Sequence, residues 1–185
     1  MEQNTTRRQL VEEAAKAGLV LGLISTSYLF LTQFIGGLQI PSSIIIALNA
    51  ILWTGKFGGC IWAMIIFMRK IVMMFPDADN STTFRFGVLA AIFSSLVYAA
   101  ASFANIAFIA ADTVMEQMNT LMQQMAPMMD SNSTVQMEKV IEKLPQLTFF
   151  SNLIYSFLYG TILSFILSRN IPSRNPFANN TSDEW

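Results

Sequence analysis

Hydrophobic positions along this chain fall into four long runs that are separated by shorter polar segments. The runs cover about residues 17–37, 44–68, 86–111 and 148–168. About 20 apolar residues are what a helix needs to cross a hydrocarbon core of about 30 Å. The pattern therefore predicts an all-α fold, a four-span transmembrane helical bundle that forms a single membrane domain over residues 1–185.

The first apolar run has a competing interpretation as a secretory signal peptide. It is longer than the apolar part of such a peptide, and no A-x-A cleavage site follows it promptly. A mixed-charge stretch from Arg7 to Lys16 precedes it. We therefore expect an uncleaved membrane span.

The segment between the third and fourth runs, residues 113–146, has a helical periodicity of its own. Its methionines step by three and four residues, which places them on one helix face: Met115, Met118, Met122, Met125 and Met129. Ser133 and Gln136 have the spacing of a capping box that opens a second short helix. We expect this amphipathic insert to lie on the outer membrane surface or to cap the bundle. Methionine thioethers can bind Cu(I), but no His or Cys supports them here, so we predict no metal site.

Basic residues near the span ends predict the orientation, because cytoplasmic loops carry an excess of Lys and Arg. Eight of them lie on the side of the N-terminus: Arg7, Arg8, Lys16, Arg69, Lys70, Arg85, Arg169 and Arg174. Only Lys139 and Lys143 lie on the other side. Both termini are therefore expected to be cytoplasmic.

The composition agrees with a lipid environment and excludes several kinds of chemistry. Hydrophobic residues make up 53% of the 185 residues and charged residues only 12%, and the formal net charge is −1. No basic field exists that would attract nucleic acid. With no His and with Cys60 as the single cysteine, the chain can form neither a His/Cys zinc site nor a Ser-His or Cys-His nucleophile pair. We expect no cofactor and no enzymatic activity.

Small and polar residues recur every four positions in the fourth span and predict its packing face. They form one ridge along the helix: Asn152, Ser156, Gly160 and Ser164. Helices in a bilayer associate through small residues that allow close approach and through hydrogen bonds between helices. We interpret the ridge mainly as packing within the bundle, with a homodimer face or a solvated pathway as alternatives.

Lys56 is the only ionisable residue inside the second span and is a candidate functional group. One interpretation places it close to the outer interface, where it snorkels to water or pairs with Asp112 at the end of the third span. The other gives it a role with a substrate or a proton. Gly55, Gly58 and Gly59 surround it and would allow the helix to unwind or another helix to come close.

Three segments together carry a resemblance to a known family. They are Ala14-Ala-Lys-Ala-Gly-Leu-Val-Leu-Gly-Leu, Thr83-Phe-Arg-Phe-Gly-Val and the Met/Gln/Glu-rich insert before the last span. Over about residues 10–170 the chain resembles the four-helix bacterial family called "domain of unknown function 4199". The resemblance implies an integral protein of the bacterial inner membrane and brings no catalytic residues. The loop after the second span departs from the charged, Gly-containing pattern of that family.

Two hypotheses about function follow from these patterns. The first is a non-enzymatic structural or accessory membrane protein, and the second is a small transporter or channel subunit with a polar helix interface around Lys56. The expected partners are the lipid bilayer and either a second copy of the chain or another membrane protein, and no nucleic acid is expected.

Overall fold

The fold is described from a computed structural model, which covers residues 2–38, 41–75, 78–125 and 139–171 and describes the side chains of residues 7–38, 41–75, 78–124 and 139–171. In these ranges all regular secondary structure is helical: α1 (Glu2–Gly36), α2 (Ser42–Met74), α3 (Asn80–Ala104), a π-helical turn (Asn105–Ile109), α4 (Ala111–Met125) and α5 (Leu144–Asn170). Residues 139–142 are helical as well. The predicted all-α fold is confirmed.

Four of these helices are long enough and apolar enough to cross a membrane, as the sequence predicts. They are α1, α2, α3 with the π-turn, and α5. The helices are longer than the predicted spans, because α1 begins well before residue 17 and α2 continues to Met74. Large apolar side chains such as Ile51, Trp62 and Ile162 are more than half exposed near the middle of the helices. Such a surface suits acyl chains and not water.

The predicted insert is described only in its first part, which is α4. This helix contacts the π-turn but makes little contact with the four long helices. Of the predicted methionine stripe, Met118 and Met122 are half-buried and Met115 is exposed. The side chain of Met125, Met129 and the predicted capping box at Ser133 lie outside what the structure describes.

The long helices alternate in direction along the chain. Gly18 and Gly22 of α1 face Ala90, Ser94 and Val97 of α3 in the same order, so α1 and α3 are parallel. Gly87 and Gly160 contact Ser164 and Ala91, so α5 is antiparallel to α3. Glu13 pairs with Lys70 and thereby joins the start of α1 to the end of α2.

The two ends of the bundle therefore differ in charge. We call one the basic end, because it holds Arg7, Arg8, Lys16, Arg69, Lys70, Arg85 and Arg169. The opposite end carries α4, and we call it the α4 end.

Helix α3 lies at the centre of the bundle and packs most extensively on α1 and α5. The close approach depends on glycine: a Cβ built on Gly18 would lie 2.5 Å from Phe93 Cβ and 2.7 Å from the Ala90 carbonyl oxygen. Helix α2 packs on α1 and touches α3 and α5 over a smaller area. The continuous hydrophobic core lies in the half towards the basic end, around Met64, Met68 and Phe86.

Helix starts follow the local sequence only in part. The Asp79 side chain caps α3 by accepting hydrogen bonds from the Thr82 backbone N–H and hydroxyl, both at 2.7 Å. At α2, Pro41 occupies the cap position and no side chain makes the capping hydrogen bond. A proline at the first turn starts α5.

Candidate functional site

A small cavity lies between all four long helices at about the middle of their lengths. Its volume is about 60 Å³. Since a water molecule needs about 10–15 Å³ by such a measure, the cavity has room for a few waters or for an ion of a few atoms. Its polar lining comes from every long helix: Ser25, Lys56, Cys60, Ser94, Tyr155, Ser156 and Tyr159.

Lys56 is the only charged side chain that lines this cavity. It lies 14 residues after Ser42, which is about 21 Å along a helix that rises 1.5 Å per residue. The side chain is half-buried. This mid-bundle position differs from the snorkelling interpretation, in which Lys56 lies within about a turn of the outer interface.

Aromatic rings surround the Lys56 ammonium. Its Nζ lies 4.9 Å from the centre of the Tyr28 ring, 5.0 Å from that of Tyr98 and 5.6 Å from that of Phe57. Tyr28 belongs to α1 and Tyr98 to α3, so the lysine links three helices. The ammonium is thus directed into the bundle and not towards its end.

The predicted pair between Lys56 and Asp112 is not formed. Among the residues that the structure describes, ion pairs join Lys16 to Glu12 and Glu13, and Lys70 to Glu13. Asp112 lies in the first turn of α4, beyond the π-turn. It is 18 residues past Ser94, which lines the cavity, and this is about 27 Å along a helix. A lysine side chain cannot bridge that distance.

The rings offset part of the energetic penalty of holding a charge at this depth. A lysine at the centre of a membrane helix costs about 2.5–3.5 kcal/mol on insertion scales. A cation–π contact contributes about 0.5–2 kcal/mol, depending on how far the charge is desolvated. Two or three such contacts can balance the penalty, but they leave the positive charge without a counter-ion. An anion in the cavity would supply one.

The other polar groups of the cavity are hydroxyls and one thiol. Cys60 lies one turn after Lys56 and is buried beside Ser25 of α1. On the side of α5, Tyr159 contacts the Phe57 ring edge to face at 5.1 Å. Hydroxyl and thiol hydrogens can donate to an anion, so the lining matches the charge of Lys56.

The predicted ridge of α5 contributes to this site and to packing. Ser156 and Gly160 line the cavity. Gly160 also lies against Ala91 of α3, and a Cβ there would be 2.6 Å from the Ala91 Cβ. Ser164 is fully buried and donates to its own-helix Gly160 carbonyl at 2.6 Å, while Asn152 is half-buried.

A glycine face on α2 contrasts with these packed glycines. A Cβ built on Gly55, Gly58 or Gly59 would find no atom within 4 Å. The helix is continuous through this segment, so the glycines neither unwind α2 nor contact another described helix. They leave open space beside Lys56, and Gly55 lines a groove between α1 and α2.

Sequence reasoning identified Lys56 but missed Tyr28, Tyr98 and Cys60. Cys60 could have been predicted, because its spacing of four residues from Lys56 places both side chains on one helix face. The tyrosines carried no such signal, since their contact with Lys56 depends on how α1 and α3 are rotated. Within the described ranges no group of three or more His, Cys, Asp or Glu could hold a metal ion.

Comparison of the chain with protein-family models, with curated proteins and with solved structures finds no match. The resemblance to the family "domain of unknown function 4199" therefore stays a prediction.

Proposed function

We propose that this protein binds a small anion at Lys56 in the middle of the membrane and acts as a small transporter or channel subunit. The observation that carries the proposal is the Lys56 ammonium, which faces a cavity between four spans and has no carboxylate partner among the described residues. A mid-membrane cation that is held in place but not neutralised is suited to an anion that enters and leaves. The role is non-enzymatic.

The size of the cavity limits the class of anion. About 60 Å³ accommodates an ion of one to a few heavy atoms, with hydroxyls of Ser25, Ser94 and Ser156 within the same lining. Chloride, nitrate and acetate fall in this range.

Anion flux in proteoliposomes tests this function. We expect chloride, nitrate or acetate flux above that of empty liposomes, and a loss of at least about tenfold in Lys56→Met, which corresponds to about 1.4 kcal/mol. Lys56→Arg should retain part of the flux because it keeps the charge. Lys16→Met is the matched control, since Lys16 is an exposed lysine that pairs with Glu12 and Glu13 near the basic end.

Two results would contradict the proposal. One is the absence of flux for all three anions, and the other is equal flux in the wild type and in Lys56→Met with both proteins folded.

A second candidate function, as an accessory to a larger membrane complex, is favoured by the glycine face of α2. Small residues that face outward allow another transmembrane helix to approach closely. Purification in mild detergent should recover a stoichiometric membrane partner or a second copy, and the double variant Gly55→Leu, Gly59→Leu should lose it. Gly36→Leu is the control, because Gly36 also meets no atom but lies at the end of α1.

We further propose that the protein resides in a bacterial inner membrane, with the basic end in the cytoplasm. The support is the concentration of Lys and Arg at that end and the resemblance to the family "domain of unknown function 4199". A fusion reporter at Trp185 should score the C-terminus as cytoplasmic. An external signal would reverse the orientation.

A further inference from the structure

Buried polar atoms without a partner are unevenly distributed along the bundle. Among the described residues, four side-chain oxygens are buried without a hydrogen-bond partner in the protein: Thr26 Oγ1, Asn49 Oδ1, Asn105 Oδ1 and Thr161 Oγ1. Ser102 Oγ is buried as well, with the Tyr98 hydroxyl within its reach. Thr26 and Thr161 follow the cavity-lining residues Ser25 and Gly160 in the sequence. Asn49, Ser102 and Asn105 lie between the cavity and the α4 end.

The buried hydroxyls towards the basic end are paired, as are Ser95 beside the cavity and half-buried Thr32 towards the α4 end. Thr83, Ser164 and Ser168 are buried, and each donates to a backbone carbonyl three or four residues earlier, at 2.6–3.0 Å. A serine or threonine in a helix normally satisfies itself in this way. A buried oxygen that stays unpaired destabilises the structure by about 1–3 kcal/mol, so the unpaired set calls for a solute or water as its partner.

Buried polar residues of α3 and of the π-turn continue the lining of the cavity. Ser94 lines the cavity, and Tyr98, Ser102 and Asn105 follow at steps of four, four and three residues. This spacing places all four on one helix face. Ser102 and Asn105 are only 2% and 7% exposed.

Tyr98 joins this polar face to Lys56. Its ring lies 5.0 Å from Lys56 Nζ, and its hydroxyl neighbours Ser102. Asn49 of α2 lies two turns from Lys56 in the direction of the α4 end. Asn105 opens the π-helical turn, a distortion that occurs often at functional sites.

The opposite direction is closed by hydrophobic packing. Met64, Met68 and Phe86 lie between the cavity and the basic end, and none is more than 1% exposed. They belong to one continuous core with residues of α1 and α5. Polar solutes therefore meet an apolar barrier on that side.

We propose that a polar route runs from the α4 end along Tyr98, Ser102 and Asn105 to Lys56 and admits water and small anions. This proposal rests on the proposed function, because it assumes the anion site at Lys56 and adds the side from which the anion enters. In this proposal the α4 side is the side of entry, and the apolar core closes the site towards the basic end.

Cysteine accessibility tests the route directly. Ser102→Cys and Asn105→Cys are made in a Cys60→Ser background, which removes the only native thiol. The probe is sulfonatoethyl methanethiosulfonate, an anionic reagent that does not cross membranes, applied to each side of proteoliposomes. Leu96→Cys is the control, because Leu96 lies on α3 and is 49% exposed on the lipid-facing surface.

We expect the two route variants to react from the α4 side at least about tenfold faster than Leu96→Cys, because only a hydrated thiol ionises to the reactive thiolate. Reagent on the side of the basic end should modify neither. Reaction from neither side, or equal reaction of Leu96→Cys, would overturn the route.

A further variant separates the route from the anion site. In Lys56→Met, Ser102→Cys should still react, since the route does not depend on the lysine charge. If flux requires Lys56 but Ser102→Cys does not react, the route is wrong and the proposed function stands. If Ser102→Cys reacts but flux does not depend on Lys56, the proposed function is wrong and the route stands.

Discussion

Glycines in this bundle have two different roles, which depend on whether another helix lies against them. Four glycines, Gly18, Gly22, Gly87 and Gly160, lie against atoms of neighbouring helices, whereas Gly55, Gly58 and Gly59 face open space. The same residue type therefore serves close packing in one place and leaves a free surface in another. A substitution separates the two roles.

At the residue scale, Gly18→Ala should destabilise the fold and Gly58→Ala should not. The Cβ of the first would lie 2.7 Å from the Ala90 carbonyl oxygen, a backbone atom that cannot move aside, so we expect a loss of about 1–3 kcal/mol. The second meets nothing and gains up to about 1 kcal/mol of helix propensity. Denaturant unfolding in detergent micelles measures both. Equal stability of the two variants would contradict the packing of α1 on α3.

At the scale of elements, the start of α3 depends on one carboxylate. Asp79 accepts hydrogen bonds from the backbone and hydroxyl of Thr82. Partial burial acts to raise the pKa of Asp79, but these hydrogen bonds and the nearby Arg85 outweigh it and hold the pKa below its ordinary value. The ionised form is thus the one that the folded protein favours.

This sign gives a pH prediction. A carboxyl whose pKa is lower in the folded than in the unfolded state makes its full contribution to folding stability above its unfolded pKa of about 3.9. That contribution is lost as the pH falls through the pKa of the folded state. Asp79→Ala should remove about 0.5–2 kcal/mol at neutral pH. Asp79→Asn should keep most of the cap and remove its pH dependence. Melting temperatures from pH 7 down to pH 3 test this, and a wild type and Asp79→Asn that lose stability in parallel would count against it.

The helices and the site differed in how much the sequence could predict. The four spans could be predicted from apolar runs of the right length, because a helix that crosses the hydrocarbon core needs about 20 apolar residues. The Lys56 environment depends on the relative rotation of α1, α2 and α3, which hydropathy does not encode. Asp112 is an acid near a span end in the sequence, but about 27 Å of helix separates it from the level of the cavity-lining Ser94.

At the scale of the whole molecule, packing is dense in one half and sparse in the other. The buried apolar core lies towards the basic end. In the described residues between the cavity and the α4 end, only Ala99, Ser102, Asn105 and Ala110 are buried. In the proposed route, the densely packed half closes the site and the sparsely packed half gives solutes access from the α4 end.

Hydrogen exchange should reveal this asymmetry. Amides exchange slowly where helices are packed and faster where backbone hydrogen bonds open locally to water. In detergent micelles we expect residues 86–95 of α3 to exchange at least about tenfold more slowly than residues 99–109. The second segment contains the polar route and the π-turn. A difference of about 1.4 kcal/mol in local stability is sufficient for that ratio. Met68→Ala should narrow the difference, because an empty volume in the core destabilises the packed half by about 2–5 kcal/mol. Uniform protection along α3 would mean that both halves are equally closed, and the basic end would then have no special part in sealing the site.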